Sequence, residues 1–148
     1  LAGKPSTAAQ PTDGYRMPTV YLALRVGREA QRLAIARRTH KMFDAGLIEE
    51  TRALLDKGLR NSPTASRAIG YAQAPAVIDG TMSVPEAVDS TALATRQLAS
   101  RQIKWFRRDP RLHWIDVALT ETGQCTDSER SRLTRQAWEL VCTRRGVA

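Results

Sequence analysis

Aromatic side chains are scarce in this chain: three Trp, three Tyr and two Phe among 148 residues. A core must therefore be filled by Leu, Ile, Val and Ala. Cysteine is scarcer still. Cys125 and Cys142 stand in no C-x-x-C pair, and neither His40 nor His113 has a second ligand close in sequence, which argues against a zinc site. Two such cysteines fit a reducing, cytoplasmic setting. No apolar run approaches the length needed to span a membrane, and nothing at the start reads as a signal peptide. The phosphate-cradling pattern G-x-x-x-x-G-K-[ST] is missing as well, since Gly3-Lys4 runs into Pro5. No carboxylate pair, Cys/His pair or nucleophile elbow suggests a catalytic centre, and Glu49-Glu50 are better explained as acids in the first turn of a helix. Negative charge is also in deficit. Lys and Arg number 23 against 15 Asp and Glu, a net charge of +8 that favours phosphate-rich or acidic partners.

What is present suits one domain with a core, since 42% of residues are hydrophobic. Residues 1–18 are rich in Pro, Gly, Ser, Thr and Ala and read as a linker; the chain opens on Leu1 rather than Met, so a piece of something longer is expected. Residues 19–26 form a nearly continuous apolar run, as in a strand buried on both faces of a parallel sheet. A helix is expected over 28–45 with Ala30, Leu33, Ala34, Met42 and Phe43 inward, stopped by Gly46. A second, over 48–57, turns Leu54 and Leu55 inward and is capped by Gly58. Residues 59–66 read as a polar turn, and 71–78 as a short helix interrupted by Pro75. Ser83-x-x-Glu86 is a capping box that opens a helix over 84–107, with Val84, Val88, Thr91, Thr95, Leu98 and Trp105 on one stripe. Asp109-Pro110 ends it, a short strand follows at 112–117, and 126–145 is a modest amphipathic helix. The order β–α–α–α–α–β–α is mainly helical, with two strands that need a sheet to join.

Three segments could carry chemistry. In residues 95–108, Arg101, Lys104 and Arg108 share one helix face, and with Arg96 nearby they suit phosphate; Trp105 and Phe106 on the same helix are expected to pack inward. In Arg67-Ala68-Ile69-Gly70-Tyr71-Ala72, the glycine before a helix start would let the backbone approach a phosphate through free N–H groups, and Tyr71 could stack on a base. An ordinary helix entry with a packed tyrosine explains that segment equally well. In Arg37-Arg38-Thr39-His40-Lys41, Arg38 lies four residues before Met42 and so on the same helix face, turned toward the interior or a cleft; a cation there needs an anionic partner. On these residues alone the chain is a basic helical domain rather than an evident enzyme.

Met42-Phe43-Asp44-Ala45-Gly46-Leu47-Ile48-Glu49-Glu50, then Ala68-Ile69-Gly70-Tyr71-x-Gln73, then Thr95-Arg96-Gln97-Leu98-Ala99-x-Arg101-Gln102-x-x-Trp105-Phe106-Arg107 resemble the tRNA dimethylallyltransferases in content, order and spacing. The resemblance covers about residues 1–117. It implies the α/β, P-loop kinase-like fold of that family, of which this chain would be the mainly helical C-terminal part: residues 19–117 from the transferase domain, 118–148 a variable helical tail. It implies transfer of a dimethylallyl group from dimethylallyl diphosphate to the exocyclic amine of the adenine beside the anticodon of tRNA. The diphosphate loop, the general base and the Mg2+ ligands would lie outside this chain, so the chain alone is expected to be inactive and monomeric. By the same resemblance Arg38 matches an arginine implicated in catalysis, Arg67–Ala72 a tRNA-contacting segment, and the helix with Arg96, Arg101, Lys104 and Arg108 the family's signature helix. Ala72 and Ser100 stand where the family often has a basic residue. The other reading open to these residues is a non-catalytic RNA- or DNA-binding module.

Overall fold

A computed structural model describes residues 19–145. The expected linker, residues 1–18, lies outside them. Strand β1 (Tyr21–Val26) pairs in parallel with β2 (Leu112–Val117), from Tyr21 opposite Leu112 to Val26 opposite Val117. Between the strands run α1 (Arg28–Asp44), α2 (Leu47–Asp56), two 3-10 turns (Leu59–Asn61 and Ala65–Arg67), α3 (Ala74–Ile78) and α4 (Val84–Phe106); α5 (Asp127–Arg145) follows β2. Among the described residues the sheet has two strands and leaves Leu24 59% exposed, so β1 is not buried there on both faces as its apolar run suggests.

The helical core forms where four segments meet. Phe43 at the end of α1, Leu47 at the start of α2 and Ala87 and Val88 near the start of α4 are buried together, flanked by Met42, Ile48, Tyr71, Val77 and Met82. In α2 the buried positions are Leu47 and Thr51, with Leu54 and Leu55 only half-buried. The polar turn expected at 59–66 instead buries Leu59. Pro75 sits in the first turn of α3, where its missing N–H is harmless, and starts that helix rather than interrupting it.

Helix α4 begins as its sequence dictates. Ser83 Oγ accepts from the Glu86 N–H, and the Glu86 carboxylate accepts from the Ser83 N–H at 2.8 Å. Its inner stripe departs from expectation, because buried Ala87, Val88, Thr91 and Ala92 lead on to half-buried Ala99, Ile103 and Phe106. Leu98 and Trp105 are exposed, at 39% and 58%. Val84 is exposed as well, at 42%: the expected stripe runs along the edge of the inward face, one residue short of Ala92, Ala99 and Phe106, which keep the same spacing and stay inward.

The segment after β2 is docked. Glu129, buried at the start of α5, accepts from the Ala118 N–H at 2.8 Å and from Arg132 at 2.7 Å, while Arg132 donates to the Asp116 carbonyl at 2.6 Å. The Arg132 guanidinium, and then the Ala118 N–H, hold the Glu129 carboxyl well below the usual carboxylate range, at about 2. A depressed folded-state pKa contributes stability above the free value, about 4.3, and loses it as pH falls toward 2. The protection of α5 amides relative to free amides at the same pH, followed from pH 6 downward, is therefore expected to hold to about pH 4 and to fall below it. A Glu129→Gln chain is expected to show the lower protection throughout.

Candidate nucleic-acid interface

Helices α1 and α4 run antiparallel. The end of α1, at Phe43, meets the start of α4, at Ala87 and Val88. The start of α1, at Arg28, meets the last turns of α4. Along α1 the face turned toward α4 follows Arg28, Arg32, Ile35, Thr39, Met42 and Phe43, the spacing of one helix stripe, exposed at the two arginines and buried at Thr39 and Phe43. In its second half this face is apolar or small, and the helices close on each other. In its first half it carries arginine, and the partner face of α4 answers with more cations.

The result is an open cleft of about 520 Å3 lined by Arg28, Gln31 and Arg32 on one wall and Arg96, Gln97, Ser100, Arg101 and Lys104 on the other. Five cations, two amides and a hydroxyl face it, with no carboxylate in the lining. Of the five, Arg32 alone has an ion pair among the described residues, with Glu29 at 3.5 Å on the exposed surface, a weak contact. Asp109 does not offset the charge, because it is bound to Arg111 at 2.6 Å, and that guanidinium holds its carboxyl at about 2. The N-cap of α1 is Gly27, so no side chain caps its first N–H groups, and the positive end of the helix dipole stands at the same mouth. Closely spaced, unneutralised cations in two facing walls can grip a chain of phosphates, with arginine able to do so in a bidentate way.

Of the residues singled out in sequence, the structure thus brings Arg96, Arg101 and Lys104 together. Arg108 lies exposed just past the end of α4 and outside the cleft lining. Arg28 and Arg32 join the three cleft cations from α1, where their spacing ahead of Ile35 and Thr39 is the sequence signal for that face. Residues 67–72 sit at the opposite end of the helix pair, beside Met42 and Leu47; the 11 residues from Arg32 to Phe43 rise about 16 Å.

The N–H cradle expected at residues 67–72 is occupied by the chain itself. Gly70 is buried against Leu47 and Met42 with φ +101°, and its N–H donates to Gln73 Oε1 at 2.9 Å. The N–H groups of Ala72, Gln73 and Ala74 donate to the carbonyls of Ala68 and Gly70. Tyr71 packs on the core and donates its hydroxyl to Glu50 at 2.6 Å, a bond that pushes the phenol pKa up. Arg67, Ala68 and Ala72 are exposed, and Ile69 is half-buried. Arg38 is exposed rather than turned inward, with no ion pair among the described residues. Counting from the inward Thr39, Arg38 falls a quarter-turn to the side. Its neighbour Arg37 is tied, donating to the Thr122 carbonyl at 3.2 Å.

The fold and the cleft together define a mainly helical α/β module with a cation-lined cleft between two of its helices. The IPP transferase family model matches residues 1–109. A tRNA dimethylallyltransferase of Kocuria rhizophila is 45% identical over 117 residues, 79% of this chain and 37% of that protein. The one from Mycobacterium tuberculosis is 42% identical over 144 residues, 95% of this chain and 44% of that protein, so that alignment reaches into α5. In structure, the tRNA isopentenylpyrophosphate transferase of Bacillus halodurans superposes with a TM-score of 0.72 at 27% identity, covering 90% of this chain and 43% of that one. The chain belongs to the IPP transferase family. Its architecture is the mainly helical part, with two parallel strands, of the P-loop kinase-like fold of these transferases. It spans about two fifths of the length of the curated relatives it matches.

Proposed function

We propose that this chain is the tRNA-gripping part of a tRNA dimethylallyltransferase, which moves a dimethylallyl group from its diphosphate to the exocyclic amine of the adenine beside the anticodon. The five-cation cleft between α1 and α4 carries this reading, because a surface with that density of unpaired positive charge has a phosphate backbone as its natural partner. The family match and the names of the relatives supply the reaction class.

Within that reading Arg96, Arg101 and Lys104, joined by Arg28 and Arg32, hold backbone phosphates. Arg67, Ala68 and Ala72 contact the tRNA at the far end of the helix pair, while Ile69, Gly70 and Tyr71 shape that end. Arg108 adds a phosphate contact past the end of α4. Arg38, exposed and without a carboxylate partner, meets the departing diphosphate and offsets its charge. The target adenine has to leave its stack to react, so shape and stacking accompany the phosphate contacts. Among the described residues no three His, Cys, Asp or Glu side chains gather as metal ligands. Any Mg2+ used in this chemistry would be held by other residues of the whole enzyme. No helix among the described residues is long and apolar enough to cross a membrane. A cytoplasmic monomer is the matching setting.

The test is prenyl transfer by the whole enzyme carrying Arg38→Ala. Turnover is expected to fall at least 100-fold, in the range seen when one transition-state charge contact is removed, with tRNA affinity nearly unchanged. A loss of affinity with normal turnover would reassign Arg38 to RNA docking.

A further inference from the structure

Trp105 is out of place for a core residue. It is 58% exposed, on the last turn of α4 before that helix ends at Phe106. The inward positions of this stretch are taken by Ala99, Ile103 and Phe106. Phe106 braces the indole in an edge-to-face contact, with ring centroids 4.9 Å apart and planes at 77°. Such a contact occupies at most one indole face, and it restrains the ring.

The surroundings select the partner. Arg101 is one helical turn before Trp105 and Lys104 is adjacent, both lining the cleft; Arg107 and Arg108 follow, exposed and free of ion pairs among the described residues. The nearest acid, Asp109, is held by Arg111. A flat aromatic surface rimmed by free cations suits a base attached to a phosphate backbone, and stacking demands that the base be unpaired.

We infer that Trp105 is a shelf on which one unpaired RNA base stacks, its own backbone phosphates running into the α1–α4 cleft. The inference rests on the reading of that cleft as an RNA site and adds what the cations cannot supply, a preference for single-stranded RNA over duplex. Phosphate contacts are the same on both.

The experiment compares the full chain with Trp105→Ala and Trp105→Phe, measuring affinity over a salt series for two RNAs: a hairpin with an unpaired loop and a fully paired duplex of equal length. Trp105→Ala is expected to weaken hairpin binding about five- to 100-fold, as for one stacked base, without changing the salt slope and without touching duplex binding. Trp105→Phe is expected to keep most of the affinity and to abolish the quenching of tryptophan fluorescence by the hairpin, with Trp114 and Trp138 still present. Unchanged hairpin affinity in the alanine chain, equal weakening on both RNAs, or quenching that survives in the phenylalanine chain would each overturn the shelf. If Arg101→Ala and Lys104→Ala leave the salt slope unaltered on both RNAs, the cleft reading fails, and the shelf with it.

Discussion

Alanine at Arg101 and alanine at Lys104 are each expected to weaken tRNA binding and to lower its salt slope by about one, and the double substitution by about two. Every phosphate neutralised by a cation releases condensed counterions, and each such contact contributes about 0.9 to the slope on duplex and about 0.7 on single strands. If each of the five cleft cations meets one phosphate, the intact chain has a slope between about −3.5 and −4.5. Affinity then falls on the order of 100-fold or more between 50 and 200 mM salt. Without Arg101 and Lys104 the wall contributed by α4 keeps only Arg96, and with Arg28 and Arg32 three contacts remain, for a slope between about −2 and −2.7. An unchanged slope in both would count against phosphate contact at these residues and against the cleft as the RNA site.

Glycine 123 is expected to be the position least tolerant of a side chain. Its φ is +71°, a region where other residues cost about 1–3 kcal/mol. A Cβ there would lie 2.8 Å from both the N and the Cα of Ala34, backbone atoms in the middle of α1 that cannot step aside. Gly123→Ala therefore has to lift the turn formed by Thr120 and Gln124 off α1 and release Arg37 from the Thr122 carbonyl. A fall in thermal midpoint of about 5–10 °C is expected, with amide exchange accelerated over residues 118–126 and little changed in the Phe43–Leu47–Val88 core. Ala34→Gly is not expected to rescue it, since the clash is with backbone. A Gly123→Ala chain with native midpoint and exchange would show that the turn does not sit against α1.

Local chemistry was the most readable part of the sequence. Ser83 and Glu86 announce the start of α4 because the capping box is complete within four residues, and Gly46 and Gly58, both at positive φ, end their helices where the sequence says they should. Features that depend on which elements meet were not readable. Arg28 and Arg32 look like ordinary cations at a helix start until α4 lies opposite them. Trp105 reads as core because an aromatic residue at helical spacing usually packs inward, and here its neighbour Phe106 takes that place. Gly70 reads equally well as an opening for a ligand or as an ordinary helix entry, and only the fold reveals that Leu47 and Met42 fill the space. The cleft was thus half visible: the α4 wall came from charge clustering, and the α1 wall required antiparallel packing.

The central claim is that the cleft between α1 and α4 holds the tRNA backbone. Titrating the isotopically labelled chain with tRNA and following the arginine side-chain Nε–H resonances tests it most directly. The account predicts that Arg28, Arg32, Arg96 and Arg101 shift together along one binding curve, while Arg60, tied to Asp79, stays still. Shifts gathered at Arg130 and Arg135 of α5, with the four cleft arginines unmoved, would contradict it.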